Sequence, residues 1–463
     1  MSLRALILAA LVVAAPAARA DAPASGGIGL LDLAEAALAQ HPTMRQAAAG
    51  RDAARHAVRD AYIGLGPRAN MVFDTARERL DVFRSSTPVY RIGVSEFSNR
   101  GMTLEVVQPL FDARVFAQLA GAHATLRRAR EELDGVRQRV LFEVVQAYLT
   151  ALGSADGHAI ASAEERTLRR QMQEVEQRGR LGLATPADAD EVAARLRGAE
   201  AQTMAAAAAL NEAIAGLERR TARRIAGIAP LGGRIPMPEP SPPTPETWVE
   251  RARDRNAEVL VAQEAANEAR AQALNAAAGT LPRVDLRFTQ SHQVTGGSVY
   301  GGGSGIDDRT LLFRLTVPLF NGDGGGYPYF AARARHRASL YRVEDQRLEV
   351  EQQVRGAFEE VVSNARREPA LLRAAEAQAR VVVSKRQRLV GGVLRLKEVL
   401  DAERDQFQAE RAVLSGRYNY LLNLMGLKRL AGDLSEADIL YLDAMLDRRG
   451  RAIGRVEVAH ATR

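Results

Sequence analysis

Residues 33–68, LAEAALAQHPTMRQAAAGRDAARHAVRDAYIGLGPR, lie without a gap on residues 248–283, WVERARDRNAEVLVAQEAANEARAQALNAAAGTLPR, at a shift of 215. Glu35, Ala47, Ala54, Arg55, Ala61, Gly64, Pro67 and Arg68 coincide with Glu250, Ala262, Ala269, Arg270, Ala276, Gly279, Pro282 and Arg283. The match continues downstream. Gln108-Pro109-Leu110-Phe111 meets Val317-Pro318-Leu319-Phe320 at a shift of 209. Gly182, Asp188, Glu191, Gly216 and Leu217 meet Gly392, Glu398, Asp401, Gly426 and Leu427 at a shift of 210. Alanine richness alone does not produce near-constant offsets over about 190 residues, so the chain reads as two copies of one unit.

The units occupy 21–229 and 246–445, and a proline-dense linker at 230–245 holds Pro230, Pro236, Pro238, Pro240, Pro242, Pro243 and Pro245. Such a stretch cannot be helical and takes an extended, semi-rigid course. Each unit opens with a helix, about 31–64 and 246–278, that ends at Gly64 or Gly279 just before Pro67 or Pro282, as helices often do. A β-hairpin follows, at about 69–109 and 283–318. Val284, Leu286 and Phe288 alternate with Asp285, Arg287 and Thr289, and Leu311, Phe313, Leu315 and Val317 alternate with Leu312, Arg314 and Thr316. Met102, Leu104 and Val106 do the same against Thr103, Glu105 and Val107. Period two with one polar face is the pattern of a half-buried strand.

After each hairpin the helical pattern runs over about 113–181 and 328–391, a length of roughly 100 Å at the α-helical rise. Gly153, Gly157 and Pro369 interrupt it at similar places, where a kink or a change of supercoil is expected. Shorter helices return over about 187–216 and 397–426.

The N-terminus sets the compartment. One arginine, an apolar run from Ala5 to Ala15 and the small-residue site Ala18-Arg19-Ala20 read as a signal peptide over 1–20, cut before Asp21. The chain has no cysteine, which excludes disulfides, thiolate metal sites and a lipid-bearing cysteine anchor. Aromatics make up 5%, too few for several large globular cores, whereas an Ala-, Arg- and Glu-rich chain suits long packed helices.

The pI near 9.9 comes almost wholly from arginine mixed with carboxylates, the lysines being Lys385, Lys397 and Lys428. With no basic patch interleaved with aromatics, nucleic acid is not an expected partner. The seven histidines are scattered, and neither metal-ligand spacing nor a nucleophile motif occurs. No enzyme activity, metal or cofactor is expected. His41 reads as a helix-start residue and Trp248 as a packing residue. Gly301-Gly302-Gly303-Ser304-Gly305 lacks the Lys-Ser/Thr and helix of a phosphate loop. The basic tail, 446–463, is expected to be disordered.

Four strands cannot close a barrel, and an open edge is not tolerated in lipid. Three pooled chains would supply about twelve strands, within the range of outer-membrane barrels. The apolar faces would then meet outer-membrane lipid, with Asp285, Arg287 and Arg314 lining a watery lumen. A soluble hairpin packed on its own helices satisfies the same periodicity, so a soluble periplasmic coiled-coil adaptor or scaffold stands as the alternative.

His41-Pro42, the Gln-Pro-Leu-Phe strand exit at 108–111, Glu398-Val399-Leu400-Asp401 and above all Tyr418-Asn419-Tyr420-Leu421-Leu422-Asn423, with Gly432, Leu434, Asp438 and Leu440 beyond, resemble the TolC family of outer-membrane efflux and secretion channels. The resemblance spans about 30–445. It implies a mostly α-helical fold with a pair of membrane β-hairpins, assembled as a homotrimer with a twelve-stranded barrel, a periplasmic α-helical tunnel and an equatorial belt near the linker. It also implies a periplasmic adaptor, an inner-membrane ABC or proton-driven transporter, and protein or drug as cargo.

At the far tip of the helical hairpins come Asp188 with Glu191 and Glu398 with Asp401. Three-residue spacing puts each pair on one helix face, in a first turn where negative charge complements the helix dipole. The resemblance gives the pairs a second role, as carboxylates around a periplasmic constriction; such rings favour cations. The family's closed state uses a tyrosine and an arginine near this turn, and this chain has Leu389 and Leu394 there. Arg178, Arg180 and Arg395 are the arginines expected to take their place by pairing with Asp188.

Overall fold

The computed structural model describes residues 27–84, 86, 92–233, 236–298, 302–319, 326–391 and 393–456. The signal peptide, Gly392, Phe320 and residue 301 of the glycine-rich loop lie outside them. The first copy comprises α1 (Leu30–Gln40), α2 (Pro42–Ile63), β1 (Arg68–Val82), β2 (Gly93–Phe111), α3 (Ala113–Arg180) and α4 (Pro186–Thr221). The second repeats the order as α5 (Pro245–Arg255), α6 (Ala257–Ala278), β3 (Arg283–Thr295), β4 (Ser304–Thr316), α7 (Tyr327–Val390) and α8 (Leu396–Leu430), and α9 (Glu436–Asp443) follows. No helix among the described residues is long and apolar enough to cross a membrane.

The opening helix of each copy, read from the sequence as one, is two. The break falls at His41 and Asn256, which the 215-residue shift superimposes. Both residues are extended and cap the helix that follows: His41 Nδ1 accepts from the Thr43 amide at 3.3 Å, and Asn256 Oδ1 accepts from Glu258 and Val259 at 2.9 and 3.3 Å. A side-chain acceptor there satisfies amides that a new helix start leaves open. The long helices α3 and α7 stay continuous through Gly153–Gly157 and Pro369. Asp112 caps the start of α3, accepting from the Arg114 amide at 2.9 Å. Arg178 and Arg180 complement the dipole at its far end.

The principal core lies at the middle of the molecule, where α1, α3, α5, α7, α8 and α9 converge on Leu33, Val144, Tyr148, Trp248, Val354 and Tyr420. Three buried aromatics pin the linker and the residue before it there. Tyr148 donates to the Ala229 carbonyl at 2.8 Å, Tyr420 to Pro238 at 2.6 Å and Trp248 Nε1 to Pro242 at 2.9 Å. An extended, proline-rich segment makes few hydrogen bonds of its own, so these donors fix its course. Burial pushes the Tyr420 phenol up to about 12.

Residues 446–456 depart from the expected disordered tail, and 457–463 lie outside the described residues. Ile453 bridges Ile228 in antiparallel fashion, Leu446 bridges Leu231, and Asn211 exchanges two hydrogen bonds with the Val456 backbone at 2.8 and 3.0 Å. Arg455 pairs with Glu218, and Arg448 with Asp443 at 2.7 Å. Of the basic residues that suggested disorder, Arg455 is answered by a carboxylate distant in sequence and Arg448 by a nearby one.

The four strands form one antiparallel sheet in the order β1-β2-β3-β4. Met71 pairs with Leu104, Ala69 with Val106, Val106 with Phe288, and Phe288 with Leu311. Direct partners share a face, so Ala69, Met71 and Phe73, Met102, Leu104 and Val106, Val284, Leu286 and Phe288, and Leu311, Phe313 and Leu315 lie on one side. That side is exposed, Phe73 by 70% and Phe313 by 63%. Leu104 faces Gln290, whereas the centre of β3's apolar triplet is Leu286, four residues away. The apolar zone thus climbs across the hydrogen-bond rows, as it must where strands tilt by roughly 35–45° to a barrel axis.

Past the end of α8, Gly432 takes φ +74°. A Cβ at this position would fall 2.2 Å from the Arg255 carbonyl oxygen. Asp433 beside it accepts from Arg255 at 2.8 Å, and Asn256 Nδ2 donates to the Leu430 carbonyl at 2.8 Å. Gly432→Ala is expected to cost about 1–3 kcal/mol from the left-handed backbone alone, with the clash in addition. Thermal unfolding of the purified variant checks this, and an unchanged midpoint contradicts it.

Candidate functional site

At the end of the helices far from the sheet, α3 turns into α4 through 181–185 and α7, ending at Val390, is followed by α8 from Leu396. Gly182 at φ +73° makes the first turn. A small apolar cluster of Leu168, Val175, Val192, Ala199 and Leu400 holds the tips together. The two hairpins are thereby tied across the repeats, which brings Glu191 and Asp401 within reach of one arginine.

Their roles differ. Asp188 closes a capping box with Thr185: its Oδ2 accepts from the Thr185 amide at 3.0 Å and hydroxyl at 2.7 Å, while its own amide donates to Thr185 Oγ1 at 3.2 Å. Those bonds hold its carboxyl below the ordinary range. The expected pairing of Asp188 with Arg178, Arg180 or Arg395 is not what the protomer contains; among the described residues none of the three makes an ion pair. The cap is closer and geometrically satisfied, so it wins the carboxylate. Arg178, Arg395, Asp188, Leu389 and Leu394 do line one cleft of about 490 Å³.

The arginine that sequence reasoning missed is Arg195. Its Nη2 donates to Glu191 at 2.9 Å, one turn back on α4, and to Asp401 of α8 at 2.8 Å. Glu191 and Asp401 are repeat-equivalent, so a single guanidinium joins the two copies of one position. The bond to Arg195 lowers the Asp401 pKa. The four-residue spacing of Glu191 and Arg195 was visible, but nothing in the sequence announced the reach to Asp401. Glu398 is exposed, its side chain unpaired among the described residues, and its carbonyl accepts from Lys385 at 3.2 Å.

Three further ties join α8 to the first copy or to its own hairpin. Glu403, only 4% exposed, accepts from Arg386 at 2.8 and 2.6 Å and from Gln171 of α3 at 2.5 Å. A buried carboxylate requires such partners. Arg411 reaches Glu164 at 2.8 Å, and Tyr418 donates to Asp156, whose pKa burial raises.

At the sheet, Asp285 stands opposite Arg314 in the β3–β4 register, and Arg287 pairs with Glu105 of β2. Asp285, Arg287 and Arg314 therefore share the face opposite the apolar one.

A sheet with one lipid-suited face, joined to helical hairpins of this length, defines a subunit of an outer-membrane channel that extends into the periplasm. Residues 33–223 and 248–433 match the outer membrane efflux protein family, and the chain belongs to that family. It is 29% identical to the alkaline protease secretion protein AprF of Pseudomonas aeruginosa, over 89% of this chain and 86% of that protein. It is 24% identical to the outer membrane protein TolC of Vibrio cholerae, over 88% and 91%. The fold matches the crystal structure of a membrane protein from Pseudomonas aeruginosa with TM-score 0.75 and 24% identity, over 89% of this chain and 93% of that one. The chain is thus an outer-membrane efflux or secretion channel subunit, and the soluble adaptor does not hold. Family members are channels that are trimeric and work with adaptor and inner-membrane transporter partners.

A carboxylate with a lowered folded pKa contributes stability above its unfolded value, near pH 4, and loses it as pH falls through the folded value. The bond from Arg195 to Asp401 is therefore expected to persist from pH 7 down to about 4 and to open only below. Spin labels on α4 and α8 beside it should keep their separation over that window. A lengthening between pH 7 and 5 contradicts this.

Proposed function

We propose that three copies of this chain close into one duct through the outer membrane and periplasm, which passes protein cargo from an inner-membrane ABC transporter through a periplasmic adaptor. The observation that carries the assembly is the pair of open sheet edges, β1 and β4, in a sheet with an exposed apolar face. Each protomer contains the junction β2–β3 between its two copies. Duplication makes β4 and the neighbour's β1 the equivalent junction. The helices repeat the logic: α6 sits against both α3 and α7, whereas α2 packs on α3 and leaves its other side for the neighbour's α7.

The lumen of such a barrel takes the face of Asp285, Arg287 and Arg314. At the tips the threefold axis would gather Asp188, Glu191, Glu398 and Asp401 as a constriction. Arg195 offsets part of that charge, so Glu398 is the carboxylate left free to favour cations. Arg178, Arg180 and Arg395 remain available to groups on neighbouring protomers. The protein-secretion reading is supported by the relative named for protease secretion and by the absence of a cysteine for lipid anchoring. A proton-driven drug pump is the second reading, since efflux belongs to the family's description.

The duplication sets a register. Val106 pairs with Phe288, so shifting by 209 and 215 places Leu315 (106 + 209) opposite the neighbour's Phe73 (288 − 215). Opposed residues hold their Cβ atoms about 4.5–5.5 Å apart, and the chain contributes no cysteine of its own. Leu315→Cys with Phe73→Cys should give covalent trimers on a non-reducing gel, while Leu315→Cys with Asp74→Cys, on opposite faces, should not. Equal cross-linking of the two pairs contradicts the register.

Cargo is read separately. Deleting the gene is expected to remove one or more proteins from the medium and leave drug susceptibility unchanged. An unchanged secreted proteome with raised drug sensitivity overturns the protein-secretion reading and supports the pump.

A further inference from the structure

Above the apolar zone, toward the hairpin ends, the outward face of the sheet carries a basic side chain on every strand, with Arg79 as a second one on β1. Following that face by register, Arg77 lies beyond Phe73 on β1, Arg100 beyond Met102 on β2, His292 beyond Phe288 on β3 and Arg309 beyond Leu311 on β4. The positions are repeat-equivalent. The 215 shift carries Arg77 onto His292, and the 209 shift carries Arg100 onto Arg309. The opposite face at the same height carries Asp74, Glu78 and Asp308 instead. The basic side chains at this height are thus confined to the outward face, while acids occur on both.

Solvation alone does not demand such sorting, because both faces meet water beyond the hydrocarbon. Two of the outward acids are already engaged, Asp307 with His292 at 2.7 Å and Glu96 with Arg79 at 3.4 Å, and the third, Asp81, lies beyond Arg79 at the end of the strand. Arg77, Arg100 and Arg309 are exposed and have no carboxylate partner among the described residues. Arginine presents a planar fork that fits phosphate in bidentate fashion. Its aliphatic stem can lie along apolar surface while the head stays at the polar boundary.

We propose that Arg77, Arg100 and Arg309 form a belt that binds the phosphate groups of anionic lipid in the outer leaflet, with the same lipid's acyl chains on the apolar zone below. The belt is continuous with the lipid-facing surface, and its charge complements that of the phosphate. In the closed barrel it follows the oblique climb of the apolar zone, so the three arginines of each protomer lie at the same boundary although they occupy different hydrogen-bond rows. The inference rests on the membrane-barrel reading.

The test uses the full chain, purified in detergent and incubated with bisphosphorylated lipid A, with retained lipid counted by native mass spectrometry. Each arginine near an anionic lipid surface contributes about fivefold in binding. Arg309→Gln is therefore expected to lose about fivefold in retained lipid A, and the variant with Arg77→Gln, Arg100→Gln and Arg309→Gln together more than tenfold. Asp74→Asn with Asp308→Asn, on the lumen face, should retain it like the unaltered protein. Free inorganic phosphate at equal concentration should not displace the lipid.

Insertion into phosphatidylcholine vesicles is measured in parallel. If the unaltered protein fails to insert, the barrel reading falls. If the glutamine variants insert normally and retain lipid A undiminished, the belt is overturned and the barrel stands. Displacement by inorganic phosphate also overturns it, as would loss of lipid on the lumen-face substitutions.

Discussion

A sheet edge in hydrocarbon leaves a row of amide and carbonyl groups with no water to take them, at several kcal/mol each. β1 and β4 both present such an edge, and the face between them is apolar and exposed. The chain therefore cannot complete its membrane part alone. It must close on copies of itself, and the internal duplication supplies the geometry, because the junction inside one protomer is the pattern for the junction between two.

The helices answer the same requirement over a longer distance. α3 and α7 are single helices of 68 and 64 residues, about 100 Å each, flanked along one part by α2 and α6 and along the rest by α4 and α8. Their buried residues are mostly Ala, Val and Leu, which permit close approach but supply little specific alignment. Alignment comes from the aromatic donors of α3, α5 and α8 that hold the linker and from the polar ties along α8. The arginine between Glu191 and Asp401, the buried Glu403 and the Tyr418–Asp156 bond all hold the second copy's return helix against the first copy or its own hairpin.

The repeat, the two hairpins, the long helices and the turns were legible in the sequence because each rests on local periodicity or on glycine and proline. Two breaks were missed, at His41 and Asn256, because a helix that restarts one residue later keeps nearly the same periodicity; the His-Pro pair marked the first and nothing comparable marked the second. The ordered segment through Val456 was missed because its partners, Ile228 and Glu218, are more than two hundred residues away. At the tips the four carboxylates were found from spacing. Their partners were not: Asp188 turned to its own cap, which lies three residues away, and Arg195 to an acid on another helix. Local chemistry was readable, and long-range pairing was not.

Electron cryo-microscopy of the detergent-extracted protein tests the central claim most directly. The account predicts a threefold particle in which β4 of each protomer pairs with β1 of the next, and α2 lies between its own α3 and the neighbour's α7. A monomer or dimer with β1 and β4 left unpaired would contradict it.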